Sequence, residues 1–333
     1  MTELITLTMS TQATERVELT IELGFPLRVS PVAPGARVLD VLPQLHALVS
    51  ERLLDVGGIL FRGFEVGSAQ MFQSFAASFG HTLLNYEFGS TPRSKVDGGI
   101  YTSTEYPAHQ HIPLHNEQAY TREWPMKIWF YCDVAAQEGG ETPIADSRAI
   151  YRDIHPKIRQ RFADKGLMYV RNYGNGLDLP WQRVFNTESP AEVNAYCAKN
   201  GIDFEWGDDG ELRTRQRCQG VARHPVTGEA VWFNQAHLFH LSTLDAATRE
   251  ILVDSVGEEN VPRNVYYGDG SPITDQELDH VRAVLEKHKV AFPWKSGDVL
   301  MLDNMLVAHA RSPFKGPRKV MVAMAEAGPR WES

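Results

Sequence analysis

The chain has 333 residues, 43% of them hydrophobic, with a formal net charge of −9 at pH 7. It has apolar material for a large core, while its acidic balance argues against nucleic acid or an anionic membrane as the main partner. Three separated cysteines (Cys132, Cys197, Cys218), no stretch of roughly 18 apolar residues and no basic, apolar leader point to packing thiols in a cytoplasmic protein.

In chain order, the first predicted element is a helix over 42–56, with Pro43 in its opening turn, Leu42, Leu45, Val49 and Leu53 at helical spacing, and Gly57-Gly58 as its stop. "ILFRGF" (59–64) reads as a buried strand, and 69–79 as a second helix ending at Gly80. "LHNEQAY" (114–120) follows, with His115 and Glu117 two positions apart. On an extended strand such a pair shares one face and converges on one point. The aromatic and β-branched run 126–134 reads as a strand, and "GGETPIADS" (139–147) as a glycine turn delivering Glu141 and Thr142.

From about 150 to 290 the texture is loops mixed with short helices. Ser189, Pro190 and Glu192 open one helix in capping-box fashion. Thr274 and Glu277 open another, with Leu278, Val281 and Leu285 on its inner face. Strands return in the near-continuous apolar run 297–310, with His309 near its end, and in 319–325. The expectation is a single domain over 1–333, mainly β, with a mixed insertion at about 150–290.

The candidate site joins distant positions. Two imidazoles and one carboxylate with an open face suit a non-heme Fe(II) oxygenase, and His115, Glu117 and His309 supply that set. If the reducing co-substrate is 2-oxoglutarate, its distal carboxylate needs a guanidinium fork and a hydroxyl, roles for Arg318 and Thr142. Lys319 adjoins Arg318; the planar guanidinium is the better partner for a carboxylate. Arg311 is a second cation near His309, expected close to the co-substrate or substrate carboxylate. His109 and His111 form a rival His-x-His pair. Roughly 20 Å of straight strand separates it from His115, so the pairs cannot share an ion, and these two read as pocket-lining or surface residues. No H-E-x-x-H, G-x-S-x-G or Walker A pattern is present.

"LHNEQAY", "GGETPIADS", "HPVTGEAVWFNQAHLFH" (224–240) and "DNMLVAHARSPFKGPRKV" (303–320), in that order, resemble the TauD/TfdA family of Fe(II)/2-oxoglutarate-dependent dioxygenases. Within it they resemble the SyrP-like and clavaminate-synthase-like branch, which carries Glu where most relatives carry Asp. The similarity runs from about residue 35 to 326. It implies a double-stranded β-helix (jelly-roll, cupin-like barrel), iron on His115, Glu117 and His309, and 2-oxoglutarate on Thr142 and Arg318, with O2 as oxidant.

It also implies hydroxylation of a small-molecule substrate, an amino acid or its derivative, free or tethered to a carrier protein, in a specialised biosynthetic pathway. Desaturation or cyclisation are alternative outcomes, and a non-catalytic β-barrel binding protein is the non-enzymatic alternative. Related halogenases replace the carboxylate ligand by a small residue; Glu117 implies oxidation without halogenation. Candidate substrate contacts are Glu105, Tyr120, Arg311, Asn234 and Gln235.

Overall fold

The computed structural model describes residues 4–7, 17–85, 95–103, 106–174 and 176–331. A nine-stranded sheet forms its backbone. In spatial order the strands are Leu4–Leu7, Leu19–Glu22, Leu27–Pro31, Gly58–Phe61, Val299–Asp303, Pro125–Val134, Lys319–Ala327, Ile100–Thr102 and Lys95–Asp97. All neighbours are antiparallel except Leu27–Pro31 beside Gly58–Phe61.

Its central strands are apolar on both faces because both faces are covered. One set of alternate residues (Trp129, Tyr131, Met301, Met321, Ala323) packs under the helices Leu42–Val56 and Ala69–Ala77. The other set (Ile128, Phe130, Leu300, Val320, Val322) packs against Ile144 and Val307 of a three-stranded sheet, ordered Ile144–Asp146, Val307–Arg311, Ile112–His115. The far side of that small sheet (Leu114, Ala145, Ala308, Ala310) is closed by the segment between 150 and 290. The small sheet therefore lies between two hydrophobic clusters.

Several boundaries differ from the sequence-based expectation. The apolar run 297–310 is two strands, Val299–Asp303 and Val307–Arg311, which join different sheets. Asp303 breaks it: its Oδ1 accepts from the backbone N–H of Met305 (3.0 Å) and Leu306 (3.1 Å), folding the chain into a turn. The 59–64 strand shortens to Gly58–Phe61, and the second helix stops at Ala77. The segment 150–290 holds a regular four-stranded antiparallel sheet, ordered Ile202–Trp206, Leu212–Cys218, Leu167–Tyr173, Arg263–Tyr267. "LRTRQRC" conceals its strand because the inward residues Thr214 and Gln216 are polar, yet both are buried.

The Thr274–Glu277 capping box is complete, whereas Ser189 forms half of one. There Thr187 takes the second half, accepting from the Ser189 N–H and donating to Glu192. All three cysteines are free and buried. Burial pushes the Cys132 thiol up to about 12 and that of Cys197 to about 11.

Candidate metal centre

His115 is the last residue of its strand and stands in register with His309 on the neighbouring strand. The pairing brings their ring centroids within 4.5 Å. Glu117 is not on the strand, contrary to the same-face expectation. It lies in the turn that follows, where Gln118 adopts φ +54°, and the turn rather than strand alternation swings its carboxylate inward. His309 Nε2 and Glu117 Oε2 are 3.7 Å apart. One ligand atom from each of the three residues falls within 4.8 Å of the others.

The donor chemistry fits a divalent iron: two imidazoles and one carboxylate, with Glu117 and His309 buried and His115 half-buried. His115 Nδ1 donates to the Pro113 carbonyl at 2.8 Å, which leaves Nε2 with the lone pair a metal requires. Phe130 stands against the His309 ring at 5.0 Å.

Ser103, Phe130, Thr142, Arg311, Arg318 and Val322 line the same cavity as the two histidines. Thr142 is held by Trp294, whose indole N–H donates to Oγ1 at 3.1 Å, leaving the hydroxyl hydrogen to donate elsewhere. Gly139 and Gly140 make this approach. A Cβ on Gly139 would lie 2.2 Å from the Pro313 carbonyl oxygen, one on Gly140 about 3.0 Å from Arg318, and both have φ near +70°.

Arg318 immediately precedes the strand Lys319–Ala327 and turns into the cavity. Its Nε donates to the Gly140 carbonyl (2.8 Å) and its Nη1 to Ser103 Oγ (3.3 Å). Of five guanidinium N–H groups, these two bonds leave three among the described residues. Burial, then the neighbouring Arg311 charge, lowers its pKa to about 10, so it stays cationic at neutral pH. Lys319 faces outward and pairs with Asp133 at 2.8 Å. Arg311 lies beside Arg318, the ring of Phe314 touching both guanidiniums. Its Nη groups donate to the carbonyls of Tyr106, Pro107 and Gln110, while its buried Nε has no protein partner among the described residues.

The remaining sequence candidates are placed differently. Tyr120 packs in the core with Tyr169 and Phe239. Asn234 binds the Gly220 carbonyl and Gln235 the Asn116 carbonyl, both buried, so these amides act on the protein's own backbone. His109 and His111 are exposed, and Glu105 lies outside the described residues. Asn116, His237 and Asn304, which hold the backbone around the His115 and Glu117 donors, were not legible as site residues in the sequence. Asn304 stood in a quoted motif, but the apolar run around it concealed the turn.

Fold and site together define a jelly-roll oxygenase with a two-histidine, one-carboxylate centre and a cationic recess beside it. The model of the taurine catabolism dioxygenase TauD, TfdA family matches residues 25–324. The chain belongs to that family and is an Fe(II)- and 2-oxoglutarate-dependent dioxygenase. It is 44% identical to the dapdiamide synthesis protein DdaC of Enterobacter agglomerans, over 84% of this chain and 85% of the relative. It is 34% identical to a clavaminate synthase-like protein of Arabidopsis thaliana, over 91% of this chain and 89% of the relative. The PvcB protein of Pseudomonas aeruginosa shares the fold at TM-score 0.51 and 15% identity, covering 90% of this chain and 84% of that one.

Proposed function

We propose that this enzyme hydroxylates a free amino acid, or a small molecule derived from one, as a step of a specialised biosynthetic pathway in the cytoplasm. The observation that carries the reading is the convergence of His115, Glu117 and His309 beside the Arg318–Thr142 recess. Iron(II) held by the first three, together with 2-oxoglutarate, would supply the oxidation: O2 is consumed, 2-oxoglutarate becomes succinate and CO2, and the substrate gains the second oxygen atom.

This chain's residues bind and orient. The His115–Pro113 hydrogen bond keeps Nε2 facing the centre. The free N–H groups of Arg318 take the far carboxylate of 2-oxoglutarate as a charge-assisted fork, with the Thr142 hydroxyl donating beside it. Arg311 adds charge and its Nε. Phe130 and Val322 present an apolar wall that keeps water from these polar groups. Glu117 fills the position that a halide would need, so the product is oxygenated and not halogenated.

The relatives' names, dapdiamide synthesis and clavaminate synthase-like, support a biosynthetic small-molecule substrate. The net charge of −9 disfavours long-range attraction of an acidic carrier protein and supports a free substrate. No helix among the described residues is long and apolar enough to cross a membrane.

We read residues 1–333 as one domain with 150–290 as an insertion. Pairing of Pro125–Val134 with Lys319–Ala327 across that insertion supports this. The test is incubation with Fe(II), 2-oxoglutarate, chloride and a panel of amino acids, free and carrier-loaded. The expected result is substrate-stimulated succinate release with a mass gain of one oxygen on a free amino acid. Oxidation of loaded carrier alone, or a chlorinated product, would overturn the corresponding part of the reading.

A further inference from the structure

Glu117 poses a mechanical problem. A metal ligand has to be held to a fraction of an ångström, yet this residue lies beyond the last strand residue and next to one in a left-handed conformation. Among the described residues no sheet ladder reaches it. The carboxamide of Asn304 stands where a ladder partner would. Its Oδ1 accepts from the Glu117 N–H at 2.7 Å, and its Nδ2 donates to the Glu117 carbonyl at 2.9 Å and to the Pro125 carbonyl at 2.8 Å. One side chain therefore satisfies both backbone groups of the ligand residue, as the opposite residue of an antiparallel pair does.

The contact is reciprocal one residue earlier. Asn116 Nδ2 donates to the Asn304 carbonyl at 2.6 Å and to Ser147 Oγ at 3.1 Å. On the far side, Gln235 donates to the Asn116 carbonyl (2.8 Å) and His237 Nε2–H to the Leu114 carbonyl (2.8 Å). Burial drops the His237 pKa to about 4, so its imidazole is neutral.

Asn304 is itself fully buried. It occupies the turn between Val299–Asp303, in the large sheet, and Val307–Arg311, which carries His309. Asp303 ties that turn down, with Lys127 Nζ at 2.9 Å and His224 Nε2 at 3.2 Å from its Oδ2.

We infer that Asn304 is the positioning residue for the iron ligand Glu117, its carboxamide substituting for the absent strand and linking Glu117 to the turn that delivers His309. The inference rests on the assignment of His115, Glu117 and His309 as the iron ligands. It goes further by naming the group that holds the third of them. Asn304 touches neither metal nor substrate; it acts through the backbone of Glu117.

The test compares Asn304→Asp, which retains an acceptor for the Glu117 N–H and loses both donations, with Asn304→Ser and wild type. Each apo-protein is checked for folding by circular dichroism and titrated with Fe(II) under anaerobic conditions and with Co(II) by its visible spectrum. Partners of ligating groups are worth about 10- to 100-fold in metal affinity, and a loss of that size is expected in both variants. The Co(II) bands should shift as carboxylate ligation loosens. Gln216→Met, which removes a buried side chain bonded to Asn200 in the insertion, should leave metal affinity within about twofold.

Folded Asn304 variants with wild-type affinity and Co(II) spectrum would overturn the inference. A wild type that binds neither ion would instead overturn the ligand assignment. If neither variant folds, wild-type hydrogen exchange decides. Protection of the Glu117 amide, about a hundredfold or more over the unstructured rate, supports the role; rapid exchange there refutes it.

Discussion

The three-stranded and four-stranded sheets of this molecule invert the usual relation between regularity and importance. The insertion's four-stranded sheet is long and regular, with seven paired positions between Leu167–Tyr173 and Leu212–Cys218, and it contributes no residue to the His–Glu–His group. The three-stranded sheet that carries His115 and His309 is short, and its Val307–Arg311 and Ile112–His115 strands shift register between His309 and Arg311. What its ladder lacks, side chains provide: Asn304 from the turn, Gln235 and His237 from the insertion. Backbone pairing can hold a strand, but an irregular segment that must aim a ligand needs dedicated side-chain hydrogen bonds.

The most severe way to break the contrast is to remove a ligand. His309→Ala or Glu117→Ala should abolish turnover and lower Fe(II) affinity by more than the roughly 100-fold that supporting residues are worth. Iron content after anaerobic reconstitution and succinate release measure this. Full activity in His309→Ala would end the ligand assignment. Next is Arg318→Ala. Removing one member of a buried charge pair costs about 3–5 kcal/mol, so the 2-oxoglutarate KM should rise by roughly two to four orders of magnitude. Lys319→Ala removes only a half-exposed pair, worth about 1 kcal/mol or less. If Lys319→Ala raised KM and Arg318→Ala did not, the co-substrate site would lie on the other face of the strand.

Phe162→Ala tests the insertion alone. The ring is fully buried between Trp232 and Tyr267, and its truncation should cost about 3–5 kcal/mol in urea unfolding. Iron affinity of the folded protein should stay within about threefold, since the bonds of Asn304, Gln235 and His237 to the 114–117 segment are all kept; a larger loss would mean that packing of the insertion's core also sets the site.

A pH series separates the turn from the ladder. Burial alone would raise the Asp303 carboxyl, but its bond to His224 and the charges of Lys127 and His224 together hold it below its ordinary 3.8. A depressed carboxylate binds fewer protons folded than unfolded, so its stabilisation is complete above the unfolded value and lost as pH falls through the folded one. Asp303→Asn should therefore be most destabilising near pH 7, and the difference from wild type in urea midpoints should shrink in strong acid. As small as that of Lys319→Ala is the effect expected of Thr274→Ala, which removes a helix cap in the insertion. It should cost about 1 kcal/mol with no change in iron affinity or kcat.

Legibility in the sequence followed the range of the interaction. Helix Leu42–Val56 and the Thr274 cap are encoded by neighbours within a turn of one another, and both read correctly. The insertion sheet did not, because buried polar residues such as Thr214 and Gln216 obscure the alternation that marks a strand. Asn234 and Gln235 were legible as polar residues in a motif, but not as partners of backbone carbonyls far away in sequence.

By itself the sequence determined which donors exist and in what order: the imidazoles and carboxylate of His115, Glu117 and His309, and the hydroxyl and guanidinium of Thr142 and Arg318. Donor chemistry is a property of side chains and survives without coordinates. Tertiary structure decided that His115 and His309 share a register, that Arg318 turns inward while Lys319 turns to Asp133, and that Glu117 leaves the strand to be held by Asn304. Each of those outcomes depends on strand pairing, or on a hydrogen bond between residues far apart in the chain. No local periodicity encodes such pairings; they are settled only when the sheets pack and every buried backbone group finds its partner.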